Sequence, residues 1–154
     1  MFKEMRRVDR QIETQQATEI LKDCDYGVLS TLGKNGYAYG VPINYVLVDD
    51  KIYFHCAVTG HKLENIEYND KVSFCVVRNS KPLPDQFATQ YESVIIFGRA
   101  TEVEGNEKKH ALQELVKKYS SDFLREGMDK IEREVDTTKV VKIDIEHISG
   151  KVRK

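Results

Sequence analysis

The stretch from Tyr91 to Glu104 constrains the fold most, because its centre, Val94-Ile95-Ile96-Phe97, is apolar on both faces of a strand. Successive strand side chains point to opposite faces, so this run demands cover on both sides of its sheet. The segments around it carry the punctuation of antiparallel strands. Tyr26-Gly27-Val28-Leu29-Ser30-Thr31 is followed by the turn residues Gly33-Lys34-Asn35-Gly36 and then by Tyr37 to Val48, a β-hairpin signature. Asp49-Asp50 turns the chain again into Lys51 to Cys56, and Lys71 to Val77 is a further strand rich in Val and Phe. Val141, Ile143 and Ile145 alternate with Lys142, Asp144 and Glu146, the pattern of a half-buried antiparallel strand. Pro42 predicts an edge position or a bulge near a ligand. Arg78 to Gln90, with Pro82 and Pro84, predicts a long loop.

Helices are inserted between these strands. Ala17, Ile20, Leu21 and Cys24 fall at i, i+3, i+4 and i+7, with Thr14 as the expected N-cap. Leu112, Leu115, Val116 and Tyr119 form one later stripe, and Leu124, Met128, Ile131 and Val135 form another, with Ser120-Ser121-Asp122 between them. Meandering antiparallel strands with a few helices predict a mainly β barrel rather than a doubly wound parallel sheet. One face of Tyr91–Glu104 then fills the barrel. The other needs a second layer, and a partner subunit is the expected source.

A chain of 154 residues with 40% hydrophobic and 32% charged residues is expected to fold as one domain, residues 1–154. The formal net charge of -1 argues against a nucleic-acid binder. The basic clusters Arg6-Arg7 and Lys151-Val152-Arg153-Lys154 read as solvated chain ends. No apolar run approaches the ~20 residues that cross a bilayer, and Met1 to Arg10 lacks a signal-peptide core, so neither a membrane nor an export route is expected. Cys24, Cys56 and Cys75 are an odd number without CxxC spacing, which points to reduced thiols and a cytoplasmic location.

Chemistry concentrates in Ile52 to Ile66, where Tyr53-Phe54-His55 ends a strand and Thr59-Gly60-His61-Lys62 enters a helix. Basic residues in a first helical turn oppose the helix dipole unless an anion sits there. Two readings follow from spacing alone: a phosphate grip by Thr59, Lys62 and backbone N–H groups, or a plain Gly60 turn with His61 and Lys62 in solvent. His55 and His61 match no common metal spacing, and neither HExxH, GxSxG nor GxGxxG occurs, so no metal site, nucleophilic triad or dinucleotide fold is expected.

Taken in order, Tyr26-Gly27-Val28-Leu29-Ser30-Thr31, Pro42-Ile43-Asn44-Tyr45, Tyr53-Phe54-His55 through Gly60-His61-Lys62, and Tyr91-Glu92-Ser93-Val94 through Gly98-Arg99-Ala100 resemble the pyridoxamine 5′-phosphate oxidase-like FMN-binding superfamily. Within it the chain is most similar to the nitroimidazole-resistance (Nim) branch, whose start resembles Met5-Arg6-Arg7-Val8-Asp9-Arg10. The resemblance covers nearly the whole chain. It implies a six- to seven-stranded antiparallel split β-barrel, a homodimer that binds FMN in a cleft at the subunit interface.

Carried over residue by residue, the resemblance implies that Ser30 and Thr31 hydrogen-bond the flavin or its ribityl chain, and that Asn44 and Tyr45 line its ring. His55, Cys56 and Ala57 would present strand-end groups, His61 and Lys62 would bind the phosphate, and Ser93 and Val94 would reach the ring from the dimer interface. The implied activity is an FMN-dependent oxidoreductase, with NAD(P)H as donor, a nitroaromatic or quinone as small acceptor, and His55 as the catalytic residue beside the flavin. A flavin carrier or redox sensor without turnover is the alternative, and haem or a deazaflavin are further occupants of this fold. The substrate-phosphate set of a pyridoxamine phosphate oxidase is missing, and Gly150 to Lys154 does not match that enzyme's ending, so vitamin B6 oxidation is disfavoured.

Overall fold

Eight strands form one antiparallel sheet in the computed structural model, which describes residues Met1–Lys154. The strands are β1 (Gln11–Ile12), β2 (Gly27–Leu32), β3 (Ala38–Ile43), β4 (Val46–Val48), β5 (Lys51–Cys56), β6 (Lys71–Leu83), β7 (Ala88–Val103) and β8 (Lys139–Arg153). The α-helices are α1 (Thr14–Asp23), α2 (His61–Tyr68), α3 (Gly105–Tyr119) and α4 (Leu124–Glu134). Strand order is β3-β2-β6-β7-β8-β5-β4, with the short β1 pairing onto β8. The two end strands, β3 and β4, are consecutive in the chain and joined by Asn44 and Tyr45 alone. The sheet therefore curls until its ends meet without pairing, which is a split β-barrel.

Several boundaries differ from the sequence-based expectation for physical reasons. Tyr37 to Val48 is not one strand: β3 pairs with β2 and β4 with β5, and the chain changes partner at Asn44-Tyr45. Arg78 to Gln90 is not a loop but the arm of a long hairpin, paired as far as Leu83↔Ala88 after a bulge between Arg78 and Lys81. β2 contacts β6 only over Ser73–Cys75, so the arm has a single neighbour and Pro82 sits on a local edge, where a missing N–H costs nothing. Pro42 likewise lies on the edge strand β3, as predicted. Thr14 is the first residue of α1 rather than its cap, which is Glu13. Asp49 and Asp50 both take positive φ, 49° and 62°, in the two-residue turn between β4 and β5.

The curl depends on a bulge where Phe97 pairs with His147 but Gly98 pairs with Ile145. A Cβ on Gly98 would lie 2.2 Å from the Asp144 carbonyl oxygen, so only glycine lets β8 pass this closely.

Two apolar cores result. The first fills the barrel with Leu29, Phe54, Phe74, Val94, Ile96 and Ile143, closed by Ala17, Ile20 and Leu21 of α1. Leu63 and Ile66 of α2 pack against it. The second lies outside the sheet, where Val46, Tyr53, Val103 and Val140 meet Ala111, Leu112 and Leu115 of α3 and Ile131 of α4. Each fully buried Leu or Ile contributes about 1.5–3 kcal/mol by leaving water. Cover on the outer face stops there. Val28, Val77, Ile95 and Phe97 of β2, β6 and β7 are 39%, 54%, 42% and 40% exposed. No helix is long and apolar enough to cross a membrane.

Candidate functional site

His55 is the penultimate residue of β5 and lies on the outer face, on the same side as Tyr53 and opposite Val140. It borders a cavity of about 270 Å³ between the sheet and helices α3 and α4, which also takes in Asn44, Leu115, Tyr119 and Lys130. Part of the His55 surface is open, but the ring is desolvated enough that its pKa falls below the ordinary imidazole value, first through burial and then through the positive charges of Lys130 and Lys62. His55 is therefore neutral at pH 7, in a locally positive field.

Lys62 belongs to α2, which starts where Gly60 breaks the strand, as read from the sequence, and ends at the cap residue Asn69. Gly60 precedes the helix at φ 158° and ψ 169°, and no side chain caps the first turn. The first helical hydrogen bond is Glu64 N–H to Gly60 O at 3.1 Å, so the N–H groups of His61, Lys62 and Leu63 are left for an external acceptor. The half-buried Lys62 adds a charge to them. His61 stacks on Tyr39 with ring centroids 3.9 Å apart. This donor set suits a phosphate.

The other expected contacts separate by face. Ser30 points outward, opposite Gly40 and Ser73, and Ser93 points outward opposite Lys151. Their neighbours point in. Thr31 is buried and its hydroxyl accepts a 3.0 Å hydrogen bond from Asn65 Nδ2, which ties β2 to α2. Val94 belongs to the barrel core at 1% exposure. Cys56 packs against the same core, and burial raises its thiol pKa. Ala57 is exposed in the loop that leads to α2.

Tyr45 is the clearest correction. It has no exposed surface, its hydroxyl donates to Leu21 O, and Lys118 Nζ sits 3.9 Å above its ring. Its main chain is held as well, since Tyr45 N–H donates to the Tyr119 hydroxyl at 3.0 Å and Lys118 Nζ donates to Tyr45 O at 2.9 Å. Tyr45 locks the split of the barrel and offers no side-chain surface to a ring. Asn44 remains exposed at the cavity, with Nδ2 donating to Asp25 O at 2.9 Å.

His55 and Ser93 are far apart within one chain. Val103 of β7 shares a row with Val140 and His55, while Ser93 lies ten residues away along β7, which is roughly 30 Å at the rise of a strand. Sequence reasoning missed Lys130, Tyr119 and Thr138 as neighbours of His55. The helical stripes of α3 and α4 were legible, but nothing local says against which half of a sheet they dock.

A protein-family model described as pyridoxamine 5′-phosphate oxidase matches residues 13–152, which takes in all four helices and, but for β1 and the last residue of β8, every strand. The chain belongs to this family. No curated protein is similar enough in sequence to count as a relative. Solved structures show how the pyridoxamine 5′-phosphate oxidase family fold is shared. A candidate 5-nitroimidazole antibiotic resistance protein from Bacteroides thetaiotaomicron superposes with a TM-score of 0.74 at 24% identity, over 92% of this chain and 86% of its own. An FAD-binding protein from Mesorhizobium loti gives 0.67 at 23% identity, over 94% of this chain and 98% of its own. An FAD- and haem-binding protein from Mycobacterium smegmatis gives 0.81 at 15% identity, over 94% of this chain and 74% of its own. At these identities the likeness establishes the fold.

Proposed function

We propose that the chain is an FMN-dependent oxidoreductase, passing electrons from NAD(P)H to a small acceptor such as a nitroaromatic or quinone, and working as a cytoplasmic homodimer. The observation that carries this reading is the uncapped start of α2, with Lys62 in its first turn and close enough to His55 to lower its pKa. A phosphate donor set and a neutral proton-carrying group thus share one corner of the molecule. The family match and the flavin-binding proteins of the same fold favour a flavin as the phosphate-bearing ligand.

Each residue has a defined task. Lys62 and the free N–H groups of α2 would hold the phosphate, and Asn44 lines the cavity beside His55. When bound, FMN supplies hydride acceptance from the donor and electron transfer to the acceptor. His55, with one protonated and one free imidazole nitrogen, gives or takes the proton that an acceptor requires. The bare face of β2, β6 and β7 receives a second copy, whose Ser93 completes the site that its own chain's His55 lies too far away to share.

The test is the visible spectrum of the protein titrated with FMN, followed by addition of NAD(P)H. Perturbed flavin bands, bleaching by NAD(P)H and reoxidation by a nitroaromatic or quinone are expected. Bound flavin that NAD(P)H leaves oxidised would favour a carrier or redox sensor instead. Lys62→Ala should weaken FMN binding by about 1–3 kcal/mol, the scale of a lost charge-assisted hydrogen bond. Unchanged affinity would place the phosphate elsewhere.

A further inference from the structure

The cavity beside His55 is more than a border to the phosphate corner. Its volume is about 270 Å³, whereas a dry apolar cavity of about 150 Å³ is enough for benzene. There is room for one ring and a substituent of a few atoms. Leu112, Leu115, Val116 and Ile131 supply apolar wall.

The polar lining divides into occupied and free groups. The Tyr119 hydroxyl is committed to Tyr45 N–H and Asp25 O, and the Asn44 amide donates to Asp25 O. His55 is perturbed only by burial and by the charges of Lys130 and Lys62, with no hydrogen-bond partner contributing. One acid lines the cavity, Glu134, which sits one turn beyond Lys130 and 3.9 Å from its Nζ. The charges that act on the imidazole are thus two lysines, and a group placed against His55 meets a donor in a positive field. A neutral apolar ligand would leave that end unsatisfied.

We infer that this cavity binds a single-ring aromatic carboxylate, with the ring against the apolar wall and the carboxylate at His55 and Lys130. The inference does not rest on the FMN reading: with its carboxylate on His55, such a ligand would compete with an electron acceptor for that group.

Calorimetric titration of the flavin-free protein with benzoate and with benzamide tests the site without any redox step. Benzoate is expected to bind about tenfold more tightly than benzamide, and Lys130→Ala, an exposed position, should remove about that factor for benzoate alone, the scale of a hydrogen bond to a charged group. Glu134→Gln should tighten benzoate, since it frees Lys130 of its competitor. Val116→Phe fills the cavity and should abolish binding of both probes; if that variant does not fold, Lys130→Ala still decides. Equal affinities for benzoate and benzamide, or a Lys130→Ala variant that binds benzoate normally, would overturn the proposal. Benzoate binding without FMN binding would sink only the flavin reading. FMN binding without benzoate binding would sink only this one.

Discussion

The outer face of the sheet is built in two halves from similar residues, and only one half is covered. Over β4, β5 and β8, Val46, Tyr53 and Val140 are sealed by α3 and α4. Over β2, β6 and β7, Val28, Val77, Ile95 and Phe97 stand open, apart from Phe2 stacking on Phe97 at 5.6 Å. An apolar stretch of strand thus implies a cover but not whether the chain supplies it. The helices follow β7 directly and fold back over the near half, so the far half stays open.

Substitution in each half should separate these two kinds of cover. Leu115→Ala removes a buried side chain from the helix-covered core and should cost about 2–4 kcal/mol in urea unfolding, independent of protein concentration. Ile95→Ala in the open half should cost little in dilute protein and, if the proposed second copy covers this face, more as concentration rises. Equal, concentration-independent losses would mean that the open half is only surface.

A smaller effect sharpens the covered half. The Tyr53 hydroxyl donates to Glu107 Oε2 at 2.7 Å and so ties β5 to α3. That bond holds the Glu107 carboxyl below its usual pKa. Tyr53→Phe should cost about 1 kcal/mol and return the Glu107 titration toward ordinary glutamate values, as read by carboxyl NMR. An unmoved Glu107 would show that the contact does not persist in solution.

The mildest effect is a pH dependence within the covered half. His55 has a lowered folded-state pKa. Above the unfolded value of about 6.5 both states are neutral there, and the group does not disfavour the fold. As pH falls from there toward the lower folded value, the unfolded chain takes up a proton that the folded chain refuses, so stability is lost on the acid side. His55→Gln should flatten that part of the stability curve, and the imidazole NMR midpoint of His55 should lie below 6.5. A midpoint at or above that value would contradict the positive field assigned to Lys62 and Lys130.

Much of this was legible in the sequence because punctuation is local. Gly60 opened α2, Gly33 to Gly36 turned β2 into β3, and the alternation of Val141, Ile143 and Ile145 marked β8. Site residues that are adjacent on a strand are not brought together by the fold. Ser30 with Thr31 and Ser93 with Val94 each split across the sheet, since a period of two sends neighbours to opposite faces. The proline-bearing arm of β6 looked like a loop because an edge tolerates what a central strand does not. Tyr45 looked like a ligand contact, and no local pattern reveals that Leu21, Lys118 and Tyr119 converge on it from sequence positions up to 74 residues distant.

The central claim is that one FMN is held per chain at a face completed by a second copy. Sedimentation of wild-type protein and of Phe97→Asp, each titrated with FMN and followed at flavin wavelengths, tests it most directly. The account expects FMN to travel with a wild-type dimer at one per chain, and Phe97→Asp to be a folded monomer that has lost FMN. FMN bound tightly to a monomer, in either protein, would contradict it.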